Sequence, residues 1–145
     1  MIFAHQHVPG IVHWFGMYHF IFLHLPIAAA LFAVLAELLH IWRKNPNYAF
    51  TARFLLWMAF LSAIPTVTAG LMLVEGHPIH FGETLWMHRF FGIGTLILSG
   101  LTLIFSYTSL KKLYLLCLIA LLIFVSLTGE LGGAMSFPKF HWLPD

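Results

Sequence analysis

Long uninterrupted apolar runs, separated by short polar breaks, are the dominant pattern along the chain. Four of them, at roughly 18–41, 53–74, 87–107 and 112–134, are long enough to cross a bilayer as helices. None shows the short alternation of a β-barrel strand, so the pattern predicts an all-α integral membrane protein, a four-transmembrane-helix bundle forming a single domain over 1–145. Pro26 and Pro65 fall inside the runs and are expected only to bend their helices.

The breaks carry an asymmetry of charge. Arg43, Lys44 and Arg53 flank the first, and Lys111 and Lys112 mark the third, so five of the seven Lys and Arg residues belong to one side. The positive-inside rule assigns that side to the cytoplasm and makes the chain N-out/C-out, with the 75–86 connection also outside. Trp14, Trp86 and Trp142 then sit at the outer boundary and Trp42 at the inner one, as an aromatic belt would. The opening "MIFAHQHVPG" lacks a basic n-region and does not read as a cleaved signal peptide. The expected location is the bacterial inner membrane, as a multi-pass protein with the lipid bilayer for its solvent.

Composition agrees with this picture and narrows the chemistry. The 145 residues are 61% hydrophobic and only 8% charged, more apolar surface than one soluble core of this size could bury. A net charge of +2, concentrated at the inner headgroups, argues against a nucleic-acid partner. Cys117 is the only cysteine, so there is neither an intrachain disulfide nor a C-x-x-C-H attachment motif, and any haem must be held non-covalently.

The ten histidines change the picture most. In this topology His5, His7, His13, His19, His24, His77, His80, His88 and His141 all fall on the outer side, and only His40 on the inner. Glu130 joins the outer group. Ionisable groups within a span normally face the bundle interior, so His24, a turn inside the first run, and His88, opening the third, are the leading ligand candidates. Small residues follow them. Gly92, Thr95 and Ser99 lie on the His88 face, Ser62, Ala63, Thr66, Ala69 and Gly70 line the second run, and Gly129, Gly132 and Gly133 end the fourth. Such stripes pack membrane helices closely, and here they also suggest room for a flat group. Glu37, near the inner end, is expected to pair with Arg53 or Arg43.

Two classes of function fit. The first is a b-type membrane cytochrome with one or two haems in the outer half of the bundle, passing electrons between a quinol/quinone pool and a periplasmic redox partner such as a c-type cytochrome. Its simplest axial pair is His24 with His88; a second haem would use His19 and His80, with His13 or His77 as substitutes. Arg89 would neutralise a propionate, and Gly92 would let the macrocycle edge approach the backbone. The second class is a non-haem site built from His24, His88 and Glu130 for zinc or iron, with added histidines for copper, although no span carries H-E-x-x-H and the one E-x-x-H pair, Glu37 and His40, lies at the opposite, inner end. A structural subunit with pH-responsive histidines is a third reading, and a homodimer is compatible with any of them.

Three segments together, "HFIFLHLPIA" at 19–28, "ETLWMHRFFGIGT" at 83–95 and "TGELGG" at 128–133, resemble a bacterial four-helix membrane domain family of unknown function. The resemblance covers about residues 19–133, and some members are fused to c-type cytochrome modules. It implies a redox setting and matches His19, His24 and His88 to recurring histidines of the family. The chain departs from the pattern at Glu130, where cytochrome-fused members often have histidine, and at Leu25, where phenylalanine is usual. In architecture alone it is also similar to the b-type di-haem four-helix cytochromes.

Overall fold

A computed structural model describes residues 10–74 and 82–136, and every regular element among them is an α-helix. The first three, α1 (Ile11–Gly16), α2 (His19–Phe22) and α3 (His24–Arg43), follow one another almost without a break. Leu23 keeps helical angles, and its N–H donates to the His19 carbonyl, so the rod continues through the join. α4 (Pro46–Val74), α5 (Gly82–Phe105) and α6 (Lys111–Ser136) complete the chain. Four lengths, Trp14–Arg43, Pro46–Leu73, Glu83–Phe105 and Lys111–Ser136, are long and apolar enough to cross a membrane. The shortest has 23 residues. At about 1.5 Å per residue it exceeds the roughly 30 Å hydrocarbon core of a bilayer.

The second long helix starts seven residues before the apolar run at 53 that marks it in the sequence. The cause is local. Pro46 suits the first helical position because its missing N–H has no partner there to lose. Asn45 caps the turn, its Oδ1 accepting the Asn47 N–H at 2.9 Å. Lys44 adopts the left-handed conformation (φ 52°) that ends a helix, and its N–H donates to the His40 carbonyl at 2.8 Å. A two-residue connection therefore turns the chain back on itself.

Packing is the reverse of that in a soluble protein. Ala29, Ala30, Ala33 and Ala36 of α3 are buried, as are Ala52, Ala59 and Ala63 of α4, while Phe32, Leu35, Leu38, Phe54 and Leu61 on the same helices are exposed. Small residues inside let backbones approach closely; large apolar residues outside suit a lipid solvent. Leu56, Leu103, Leu118, Leu121 and Val125 fill the centre.

The hydroxyl stripes are also interior, with Thr66, Thr95, Ser99 and Thr102 buried. Each returns its proton to its own helix. Thr66 donates to the Ser62 carbonyl at 2.7 Å, Thr95 to Phe91 at 2.8 Å and Thr102 to Leu98 at 2.6 Å. These stripes pack the bundle with satisfied polar groups. Glu37 likewise departs from the expected arginine pairing: it is buried, and its Oε2 accepts the Tyr114 hydroxyl at 2.8 Å, joining the first span to the fourth.

Candidate functional site

One end of the bundle gathers the start of the first and third spans and the end of the second and fourth. There α2 and α5 bring two histidines together. The His19 and His88 ring centroids are 6.2 Å apart, with their planes at 88°. Both rings are half-buried.

Each ring is held by the same device. His19 Nδ1 lies 2.7 Å from the Thr66 carbonyl oxygen, and His88 Nδ1 lies 3.1 Å from that of Thr128. A carbonyl only accepts, so in each neutral imidazole the proton resides on Nδ1 and Nε2 carries the lone pair. This is the arrangement by which a backbone carbonyl fixes the tautomer and orientation of a metal-ligating histidine. Four residues beyond each carbonyl stands a glycine, on the same helix face. A Cβ at Gly70 would lie 2.9 Å from His19 Nδ1, and one at Gly132 would lie 3.1 Å from His88 Cε1. The first would force the His19 ring to shift, and the second would press the His88 ring by a few tenths of an ångström. A Thr-x-x-x-Gly unit, 66–70 on α4 and 128–132 on α6, therefore seats one imidazole in each half of the bundle. The sequence pattern puts Thr66, Gly70 and Gly132 in stripes that pack helices and leave room for a flat group; their role in seating the imidazoles was signalled only by the recurrent spacing.

The other candidates fall as follows. His24 is exposed on the outer surface of α3. It follows His19 by five residues, about 140° around a helix, so the two cannot face the same interior. The pair assembled with His88 is thus His19, where His24 was expected. Glu130 is exposed as well, on the far side of α6 from the histidine seat. Gly92 gives no close approach, since a Cβ there would meet only the Thr128 methyl at an ordinary 3.8 Å. Arg89 is half-buried, and its Nε is buried without a hydrogen-bond partner, an orphaned donor beside the histidine pair in sequence. His80, expected as a partner of His19, lies outside the described residues, as do His5, His7, His77 and His141, and the side chain of His13. Among the described residues no group of three or more His, Cys, Asp or Glu is placed to hold a metal ion.

The arrangement offers two imidazoles of set tautomer with ring centroids 6.2 Å apart, and an orphaned cationic donor next in sequence to one of them. With metal–nitrogen bonds of about 2 Å and about 1.1 Å from nitrogen to ring centre, two imidazoles opposed on one ion have centroids roughly 6 Å apart. The observed 6.2 Å meets that requirement. Zinc and copper sites take three or four protein donors, whereas a porphyrin leaves only the axial positions of its iron to the protein. Among the described residues the donor set has two. No family model, curated protein or solved structure matches the chain.

Proposed function

We propose that the protein is a membrane-spanning b-type cytochrome that holds one haem between His19 and His88 and carries electrons between a quinol/quinone pool and an acceptor on the histidine-rich side. The observation that carries this reading is the pair of imidazoles, each tied through Nδ1 to a threonine carbonyl with a separation that suits two axial ligands. Five of the seven basic residues mark the opposite end, which makes the histidine-rich end the periplasmic one in a bacterial inner membrane.

The haem, when bound, supplies a one-electron ferric–ferrous couple. The chain's own part is to hold and tune it. The Thr66 and Thr128 carbonyls, accepting from Nδ1–H, fix the tautomer in which the Nε2 lone pair of each neutral ring is free to bind iron. The Arg89 guanidinium, with its Nε unpaired, provides charge for a propionate. The apolar exterior of the helices gives a lipid-soluble donor access from the side.

Detergent-purified protein is expected to be red, with one haem b per chain that acid–acetone removes, because Cys117 stands alone and no thioether motif exists. A colourless preparation from haem-replete cells, carrying stoichiometric zinc or copper by elemental analysis, would replace this reading with the non-haem one.

A further inference from the structure

At the end opposite the histidine pair, the helices enclose a cleft of about 430 Å³. Three cations reach it from separate elements: Lys44 from the α3–α4 turn, Arg53 from α4 and Lys111 from the start of α6. One carboxylate, Glu37, lies on its wall, buried and engaged by the Tyr114 hydroxyl. Three positive charges thus face one negative charge. Among the described residues, none of the three cations forms an ion pair with Glu37 or another carboxylate; Arg53 instead rests over the Tyr107 ring at 5.4 Å. His40 also lines the cleft, its Nδ1 committed to the Asn45 carbonyl at 2.9 Å.

The cleft is not closed off from the helix exterior. Ile41 and Leu115 line it and are at the same time exposed on the apolar outer surface. A ligand there meets fixed cations with its head and apolar side chains beside it. A soluble phosphate could use only the first feature, and an amphiphile uses both.

We propose that this cleft binds the phosphodiester headgroup of an anionic phospholipid, with its acyl chains leaving past Ile41 and Leu115. The proposal rests on the membrane-spanning part of the reading above and not on the haem. Basic pockets between transmembrane helices on the positively charged side recognise such headgroups. Arg53 can present a planar fork to two phosphate oxygens, and Lys44 and Lys111 act as point charges. Not every cation at this end takes part. Arg43 lies over the Trp42 ring at 4.4 Å, and neither Arg43 nor Lys112 lines the cleft.

That division supplies the test. Native mass spectrometry of the detergent-purified full chain, titrated with phosphatidylglycerol or phosphatidylcholine of matched acyl chains, reads lipid adducts and haem in one spectrum. The wild type is expected to prefer phosphatidylglycerol. The double variant Arg53→Gln/Lys111→Gln should weaken phosphatidylglycerol binding on the order of tenfold. Arg43→Gln/Lys112→Gln removes the same charge from the same end and should change it less than about twofold. Glycerol 3-phosphate, matched in concentration, should not displace the lipid. Equal weakening by both variants, equal binding of the two lipids, or displacement by glycerol 3-phosphate would overturn the proposal. Adducts of the predicted selectivity on a chain devoid of haem would uphold the lipid site and refute only the cytochrome reading.

Discussion

Replacing either His19 or His88 with alanine is expected to abolish the low-spin haem of the purified protein, whereas His24→Ala leaves haem content unchanged. The asymmetry follows from placement. His19 and His88 face each other across the interior with 6.2 Å between ring centroids, while His24 is exposed on the other side of the same rod. Loss of a supporting hydrogen bond to a metal ligand typically lowers affinity about 10–100-fold, and loss of the ligand itself should exceed that. Haem per chain, measured by the pyridine haemochrome at constant protein recovery, decides the matter. Retention of full low-spin haem in both His19→Ala and His88→Ala would move the ligands elsewhere.

A comparable loss is expected from Gly132→Val, which touches no haem ligand covalently. A Cβ at that position lies 3.1 Å from His88 Cε1, already tight enough to push the ring by a few tenths of an ångström, and a branched side chain adds bulk beside it. The imidazole must then leave the Thr128 carbonyl that orients it, which is where Nδ1 is now anchored. Gly129→Val is the control on the same helix, because a Cβ at Gly129 meets nothing within 4 Å. Haem occupancy should fall at least about tenfold in the first and stay near wild type in the second. Equal occupancy in the two variants would show that the glycine does not seat the histidine. Substitution at Gly92 should resemble the control, since only the Thr128 methyl is near.

These two expectations mark where the sequence was sufficient and where it was not. Four spans were legible from hydropathy, because lipid-facing length depends only on a continuous run of apolar residues. The start of α4 was not. Asn45, Pro46 and Asn47 are polar or helix-breaking in composition, yet they form a capped first turn outside the apolar run. That His19 and His88 stand at one end of the bundle was legible from the order of the spans. The choice between His19 and His24 needed the rotational phase of the first helix. That phase is written in the small residues further along: Ala30 and Ala33, both buried, stand 11 and 14 positions after His19, nearly on its face at 100° per residue. Ala33 stands nine positions after His24, on the opposite face. Glu37 and Tyr114 are 77 positions apart, and no local pattern connects them. Their contact is a product of bundle packing alone.

The near-perpendicular setting of the two rings gives the account its most direct test. The planes stand at 88°, each fixed by its own carbonyl. Axial imidazoles crossed in this way leave two of the iron d orbitals almost equal in energy, which produces a highly anisotropic low-spin ferric signal. Parallel rings split those orbitals and give an ordinary rhombic signal. Electron paramagnetic resonance of the oxidised, detergent-purified protein at liquid-helium temperature should therefore show the highly anisotropic low-spin form. A rhombic low-spin spectrum, or no ferric haem signal at all, would contradict the assignment of His19 and His88 as the crossed axial pair.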